Sequence, residues 1–314
     1  RQMPKYKPFN TQIVDPLGVN TSIAARPMEM GSDESRDKIV KETSGEPTVD
    51  YIGKTNPYID YQSIDILLSL QHPRSDGYDE HCFIIMGQVK EMLFKGFHFE
   101  LMNAQMQIRT DNINNAMEIL TRAIAYAKYI ADTWNVLSTI STEGFSEFRN
   151  NLGTASGQLS FMYRHVEFVL GNKSEKLATA HKNVAHVWPE IERSLKSPSL
   201  YDDVIALLDR RGFKIDQKML GRDWTQPYEV NMSVEAAWLK IYKEASLEND
   251  LYNLGEKLTS LDENFSIYRW RHFLTVQKII GYKPGTGGSA GVGWLENVTS
   301  HRFFPELWSI RTNL

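Results

Sequence analysis

Apolar positions recur at steps of three and four residues over long stretches of this chain. The clearest stretch lies between Ser233 and Ile280, and its apolar face contains Leu251, Leu254, Leu258, Leu261, Phe265, Tyr268, His272, Val276 and Ile279. Two further stripes are Ile124, Ala127, Ala131, Trp134 and Phe83, Gly87, Phe94, Phe97, Leu101, Ala104. This spacing places side chains on one face of an α-helix, whereas the alternation typical of strands is almost absent after Tyr58. The pattern predicts an all-α fold, a bundle of long helices.

Shorter segments without this period flank the predicted helices. Residues 1–50 have no sustained period, and we expect an N-terminal extension that acts as an arm across a partner subunit, followed by one domain over residues 51–314. Within that domain, breakers at Gly212 and Pro227 predict a small helical insert at about residues 198–228. Residues 281–289 are too rich in glycine for a helix and predict a loop.

Composition narrows the class of protein. The 314 residues contain 35 Lys and Arg against 39 Asp and Glu, a net charge of −4, which gives no overall field to attract nucleic acid or an anionic membrane. A lone cysteine, Cys82, excludes an intramolecular disulfide and a cysteine-based zinc site. No apolar stretch approaches the roughly 18 residues of a spanning helix. These features predict a soluble, cytoplasmic protein with no membrane or nucleic-acid partner.

His272 is the first candidate for chemistry, because its imidazole lies in the apolar phase of a long helix. A buried histidine of this kind is commonly a structural residue with satisfied hydrogen bonds. The alternative is the axial ligand of a haem, which requires one neutral imidazole in a dry pocket. Since the chain has no Cys-x-x-Cys-His motif, such a haem would be bound without thioether bonds. Both interpretations remain open at this level.

Phe145 and Arg149 are four residues apart and would share one helix face. A guanidinium can bind a carboxylate through two hydrogen bonds while the aromatic ring packs on an apolar side chain, so the pair suits an aromatic amino acid. The alternative is a surface arginine whose aliphatic stem packs on a phenylalanine.

The glycine-rich segment 285–288 superficially resembles a phosphate-binding loop. It lacks the Gly-Lys-Ser/Thr ending of a P-loop and follows a predicted helix rather than a strand. A mobile lid over a ligand, with glycines as hinges, is the preferred interpretation, and a plain turn is the alternative.

Several ordered blocks of the sequence resemble the tryptophan 2,3-dioxygenase family from about Tyr58 to the C-terminus. The matching blocks are residues 58–61, 65–69, 79–80, 83–85, 94–95, 148–153, 155–157, 210–213, 222–224, 270–272, 285–289 and 304–308. The resemblance implies an all-helical, tetrameric enzyme with b-type haem that oxidises the C2–C3 bond of an indole with O2. A small-molecule substrate, tryptophan or a derivative, is implied as its ligand.

The resemblance also implies roles for individual residues. His272 would bind the haem iron, and Trp134 and Ser156 would lie near the haem. Substrate contacts would come from Phe83, Phe145, Arg149 and Thr286, and from Tyr58 and Tyr61 of a neighbouring subunit. By position, Arg149 would bind the substrate carboxylate, Phe145 would pack on the indole, and Thr286 would meet the ammonium and carboxylate from the lid.

One departure from the family pattern lies in the centre of this site. The family has a distal histidine four residues after Phe83, which accepts a hydrogen bond from the indole N–H; here the position is Gly87. Glycine has no side chain to accept that bond, so water would take its place or the space would hold a bulkier substrate. Other departures are Tyr78, Gln62 and Gln158-Leu159.

These departures favour, by a narrow margin, a monooxygenase that converts L-tryptophan or a substituted tryptophan to an oxindole. The alternative is a tryptophan 2,3-dioxygenase that inserts both oxygen atoms and opens the ring to N-formylkynurenine. No residue is assigned as a catalytic acid or base, and the need for an external reductant is left open. From a different class, a haem-binding sensor or carrier would keep the fold without turnover.

Overall fold

The computed structural model describes residues 26–47 and 56–314. These residues form α-helices and short 3-10 helices, and the described part contains no β-strand, which confirms the predicted all-α fold. The chain divides into two compact units, one ending at His72 and the other running from Pro73 to Leu314. No helix in the described part is both long and apolar enough to span a bilayer.

The unit that ends at His72 has short helices. They are α1 (Asp33–Thr43), α2 (Pro57–Gln62) and α3 (Ile64–Leu67). Ser32 caps α1 in a reciprocal capping box with Ser35, because each side chain bonds to the backbone N–H of the other residue. Arg26 donates to Asp60 at 2.9 Å and to Asp65 at 2.8 Å, which ties the segment before α1 to the two helices that follow it.

The unit from Pro73 onward contains the long helices that the sequence predicts. Its α-helices are α4 (Tyr78–Arg109), α5 (Ile113–Leu137), α6 (Thr142–Arg149), α7 (Phe161–Leu170), α8 (Glu175–Thr179), α9 (Trp188–Lys196), α10 (Leu200–Arg210), α11 (Gln217–Leu220), α12 (Met232–Lys243), α13 (Asp250–Ile280), α14 (Val292–Thr299) and α15 (Pro305–Ser309). Three 3-10 helices are Asn150–Leu152, Gly157–Leu159 and Ile310–Asn313. At about 1.5 Å per residue, α4 with its 32 residues is about 48 Å long.

Helices α4, α5 and α13 form the centre of this unit, with α5 packed against both of the others. Small side chains on α5, such as Ala123 and Ala127, are fully buried and allow close approach of its neighbours. At Gly96 of α4 a Cβ atom would lie 2.5 Å from the Tyr126 ring, so a larger residue there would have to displace this ring from its contact between α4 and α5. The apolar stripes of the sequence therefore become the core of a helical bundle.

The apolar stretch between Ser233 and Ile280 is divided into two helices. Helix α12 ends at Lys243, and α13 begins at Asp250. The side chain of Asn249 caps α13 by accepting from the backbone N–H groups of Leu251 and Tyr252, both at 3.1 Å. A capping side chain supplies this boundary without a proline or glycine.

The region predicted as a small helical insert, residues 198–228, contains α10 and α11. Helix α10 packs on α4, and Asp203 of α10 accepts from Gln105 and Arg109 of α4. Asp202 accepts from Arg222 at 2.6 Å, which fixes the chain after α11 to the start of α10.

Candidate functional site

A cavity of about 900 Å³ lies in the unit from Pro73 onward, within the size range of cofactor and ligand sites, roughly 300–1,000 Å³. Its wall includes parts of α4, α5, α6 and α13 and the loop between α13 and α14. The structure brings eight of the predicted site residues to this wall: Phe83, Gly87, Trp134, Phe145, Arg149, Ser156, His272 and Thr286. Their individual roles stay predictions.

The other two predicted site residues, Tyr58 and Tyr61, belong to α2 in the unit that ends at His72. Their side chains are 64% and 79% exposed. Exposed tyrosines are compatible with contacts to another subunit, and that assignment stays a prediction.

His272 faces the cavity from α13 and stacks on Trp134 of α5. The two ring centroids are 4.5 Å apart and the planes differ by 12°. Burial, together with the nearby charge of Lys90, lowers the pKa of His272 to about 3. The imidazole is therefore neutral near pH 7, which is the form that coordinates a metal.

Three phenylalanines form an aromatic wall between α4 and α6. Phe83 lies 6.1 Å from Phe145 and 5.3 Å from Phe148, between ring centroids, and Phe145 and Phe148 meet edge to face at 5.1 Å. Arg149 follows on the last turn of α6, next to this wall. The phenylalanines can pack on the aromatic ring of an amino acid while the guanidinium of Arg149 faces its carboxylate.

The loop of residues 281–291 closes one side of the cavity. One guanidinium nitrogen of Arg149 donates to the carbonyl oxygen of Pro284 at 2.7 Å, and the hydroxyl of Thr286 donates to the carbonyl oxygen of Ala155 at 2.5 Å. A Cβ atom at residue Gly287 would lie 2.7 Å from that of Ser156, so the close docking of the loop requires glycine there. These contacts hold the loop against the cavity, and its movement as a lid stays a prediction.

Lys90 was missed by the sequence analysis. It lines the cavity from α4, with its Nζ atom 3.6 Å from the ring centroid of Trp134 and 5.7 Å from that of Tyr268. Burial lowers the pKa of Lys90 to about 7, and the charge of Glu91 opposes this shift. The signal was present in the sequence, since Lys90 follows Gly87 by three residues and precedes Phe94 by four on the apolar stripe.

A buried charge cluster at another part of the wall was also missed. Glu167 accepts from Arg269 at 2.7 Å, from Tyr163 at 2.7 Å and from Arg164 at 3.4 Å. Burial raises the pKa of Glu167, but Arg269 and Arg164 outweigh it and leave the pKa below its usual value. Two guanidinium groups thus share one carboxylate, and within the part of the chain that the structure describes neither Nε atom has a hydrogen-bond partner.

These features fit haem better than they fit an apolar ligand. The cavity offers one neutral imidazole, and elsewhere on its wall two buried arginines share a single carboxylate, which leaves one positive charge in excess. The buried Nε1 of Trp134 has no hydrogen-bond partner among the described residues. An excess of buried positive charge and free donors suits a group with carboxylates, as haem has. In the described residues no cluster of three or more His, Cys, Asp and Glu side chains could hold a metal ion by itself.

Comparison with known proteins agrees with this geometry. The family model described as tryptophan 2,3-dioxygenase matches residues 43–314. A protein named tryptophan 2,3-dioxygenase from Cupriavidus necator is 42% identical over 261 residues, which cover 83% of this chain and 89% of the relative. Relatives of the same name from Burkholderia pseudomallei and Ralstonia pickettii are 42% and 39% identical over 82% and 83% of this chain, and over 84% and 94% of their own lengths. The family match includes every residue of the cavity wall, and the relatives are aligned over more than four fifths of the chain, so the chain belongs to the tryptophan 2,3-dioxygenase family.

Proposed function

We propose that this protein is a tryptophan 2,3-dioxygenase, which inserts both atoms of O2 across the indole C2–C3 bond of L-tryptophan and opens the ring to N-formylkynurenine. The narrow preference for an oxindole-forming monooxygenase, based on Gly87 and the other departures from the family pattern, is not supported, because relatives aligned over more than four fifths of the chain are named dioxygenases. The coarser statement holds for either product: the chain is a haem-dependent tryptophan oxygenase, an oxidoreductase that uses O2.

The observation that carries the proposal is one cavity with a neutral imidazole and an aromatic wall followed by an arginine. His272 would bind the iron, and the positive cluster of Arg164 and Arg269 would face carboxylates of the cofactor. The haem would be of b type, as the family resemblance implies, and the chain has no Cys-x-x-Cys-His motif for thioether attachment. Haem supplies the iron at which O2 is activated.

The side chains of this protein bind and orient the amino acid. Arg149 uses one nitrogen on Pro284, and its remaining donors are available for the substrate carboxylate. Thr286 donates its proton to Ala155, so its oxygen can accept from the substrate ammonium. Phe83 and Phe145 pack on the indole. When the carboxylate, the ammonium and the indole are all held, the bond of the ring that faces the iron is fixed.

Gly87 does not exclude this reaction. The family's histidine at this position would accept a hydrogen bond from the indole N–H. The oxidation does not require a base to remove that proton. Water in the space beside Gly87 can take the hydrogen bond, since nothing lies within 4 Å of the place of a Cβ atom.

Further parts of the proposal concern the assembly. A homotetramer would bring Tyr58 and Tyr61 of one subunit to the cavity of another. The exposure of both rings on α2 supports this part of the proposal. Residues 1–50 would act as an arm between subunits, and most of these residues lie outside the described part. The expected compartment is the cytoplasm.

The decisive experiment is the mass of the product formed from L-tryptophan and labelled O2 by the ferrous, haem-loaded protein. We expect N-formylkynurenine with two labelled oxygen atoms and no consumption of an added reductant. One labelled atom in an intact bicyclic product would replace the proposal by monooxygenation. No product, with a normal Soret band and normal tryptophan binding, would instead indicate a sensor or carrier.

A further inference from the structure

A cation and an open space adjoin each other on the cavity face of α4. Lys90 follows Gly87 by three residues, so the two positions are neighbours on one face of the helix. Within the described residues the ammonium of Lys90 makes cation–π contacts with Trp134 and Tyr268, and no hydrogen bond or ion pair is formed by it. At Gly87 nothing lies within 4 Å of the place of a Cβ atom. We call these two positions the Lys90–Gly87 subsite.

The other cations of the cavity wall already have oxygen partners. Arg149 donates to Pro284, Arg164 and Arg269 bond to Glu167, and Lys173 donates to the carbonyl oxygens of Ser194 and Ser197 at 2.6 and 2.7 Å. The carboxylate next to Lys90 in the chain, Glu91, has the hydroxyl of Ser160 as a side-chain partner. Lys90 therefore has two aromatic faces and the charge of Glu91 near its amine, and an oxygen acceptor in the cavity would stabilise the charged form of this side chain.

The position of the subsite follows from the order of residues along α4. Helix α6 lies against the first turns of α4, where Gly77 adjoins Glu147 and Gly144 adjoins Asp79. A substrate carboxylate on Arg149 of α6 therefore places the ring against Phe83. At about 1.5 Å per residue, Gly87 is about 6 Å and Lys90 about 10.5 Å further along the same helix. A substituent on the far edge of the ring would point toward the subsite.

We propose that the Lys90–Gly87 subsite binds an oxygen-bearing substituent on the ring of the substrate, with the substituent in the space at Gly87 and its oxygen accepting from Lys90. The preferred substrates would then be tryptophans with a hydroxyl, alkoxy or carboxylate group on the benzene ring. This inference rests on the proposed function, because it uses the same orientation of the amino acid. It adds a determinant of specificity that the reaction itself does not need.

The test compares pairs of ligands that differ only in the acceptor. Hydroxytryptophan and methyltryptophan, substituted at each of the 4-, 5-, 6- and 7-positions, are matched in size, and their Kd values are measured from the shift of the Soret band of the ferric protein. We expect the hydroxy compound to bind about tenfold more tightly than its methyl partner at one position at least, equivalent to about 1.4 kcal/mol. The readout is this ratio and not turnover.

Variants test whether the ratio of the Kd values of the methyl and hydroxy compounds depends on the Lys90–Gly87 subsite. Lys90→Met should bring the ratio to about one, and Lys90→Arg, which keeps a cation, should retain it. Gly87→Leu should weaken binding of both substituted ligands by filling the space. The matched control is Lys95→Met, since Lys95 lies on the same helix but is exposed and outside the cavity wall. Melting temperature and the Soret maximum report whether each variant is folded and loaded.

The outcomes separate this inference from the proposed function. A ratio near one at every ring position, or a ratio that Lys90→Met leaves unchanged, would overturn the subsite. If L-tryptophan itself fails to perturb the Soret band, the proposed function fails first. If L-tryptophan binds and the ratios are near one, the proposed function stands and the subsite alone is wrong.

Discussion

Two buried glutamates show how the scaffold of this protein differs from its cavity wall. Glu306 of α15 accepts from the hydroxyls of Tyr201 and Tyr228 at 2.9 and 2.6 Å and from the backbone N–H of Asn231 at 2.8 Å, so its partners are neutral donors. Burial raises the pKa of Glu306 above its usual value. Glu167 lies at the wall of the cavity between two arginines, and there the pKa falls below the usual value despite burial.

The difference separates a carboxylate that stabilises the fold from one that belongs to the proposed cofactor site. In the scaffold three neutral donors share the two oxygens of the carboxylate. At the Glu167 cluster two guanidinium groups face one carboxylate, and among the described residues the Nε atoms of Arg164 and Arg269 have no hydrogen-bond partner. A surplus of buried positive charge has a cost that a bound anion removes, so the surplus itself indicates where a ligand belongs.

The largest expected effect is loss of the cofactor from His272→Ala. The imidazole faces the cavity, so its removal should abolish the Soret band while the far-ultraviolet dichroism of the helices stays unchanged. His81→Ala is the matched control, because His81 is exposed on α4. His301 also lines the cavity with a pKa lowered to about 4 by burial. If His301→Ala removes the Soret band and His272→Ala does not, the ligand assignment moves to His301.

The next effect concerns the stability of the haem-free protein. Glu167→Gln leaves two buried guanidinium groups without a counter-charge, and we expect the free energy of unfolding in urea to fall by about 3–5 kcal/mol. Glu175→Gln, at an exposed position of the cavity rim, should change it by less than about 0.5 kcal/mol.

The free energy of unfolding should depend on pH in the direction that the lowered pKa of Glu167 implies. Because the pKa of Glu167 is lower in the folded protein than its ordinary value of 4.5, its contribution is fully present above that value. The contribution is lost as pH falls through the folded pKa, so the wild-type protein should lose stability in this acid range. Glu167→Gln should lack this part of the slope, and an unchanged slope would contradict the assignment.

A smaller effect is expected at the scaffold carboxylate. Glu306→Ala removes the acceptor of two tyrosine hydroxyls and one backbone N–H, at an expected cost of about 2–3 kcal/mol in the free energy of unfolding. Since the stranded donors are neutral, the cost should be below that of Glu167→Gln. Glu306→Gln keeps one acceptor oxygen and should cost less than Glu306→Ala. If Glu306→Ala costs more than Glu167→Gln in the same urea experiment, the comparison of the two carboxylates is wrong.

The smallest effect concerns the lid. Gly287→Ala places a methyl group against Ser156 and should weaken docking of the loop by about 1 kcal/mol, which would raise KM for L-tryptophan about fivefold. Gly293→Ala is the control, because nothing lies within 4 Å of a Cβ atom at that position of α14. An unchanged KM in Gly287→Ala would show that the loop docks without this close contact.

Much of the fold could be predicted from the sequence because its signals are local. The three- and four-residue steps of α4, α5 and α13 appear in the chain itself, and the glycines of residues 281–289 exclude a helix. The boundary between α12 and α13 was not predicted, since a single asparagine cap at Asn249 supplies it. Local spacing also brought His272 and Arg149 to attention as candidates, although their roles remain to be tested.

Contacts between distant parts of the chain could not be predicted in this way. Arg269 and Glu167 are 102 residues apart in sequence, and nothing in the spacing of either helix indicates that they meet. The surplus positive charge at the cavity arises from this long-range contact, because Arg269 joins Arg164 and Glu167 from a distant part of the chain. Lys90 is an intermediate case: its place on an apolar stripe was visible, but its lack of an acceptor becomes evident only when Trp134 is placed beside it.

The bond from Arg149 to the carbonyl oxygen of Pro284 makes one side chain serve both the loop and the amino acid. In the proposed site a ligand carboxylate would bind a guanidinium that already donates to the loop, so ligand binding and loop closure would be thermodynamically linked. A carboxylate that fixes Arg149 would also fix the loop. The cost in conformational entropy would then be divided between ligand binding and loop closure. An amine analogue without the carboxyl group, such as tryptamine, would lack this linkage even if its ring fitted the aromatic wall.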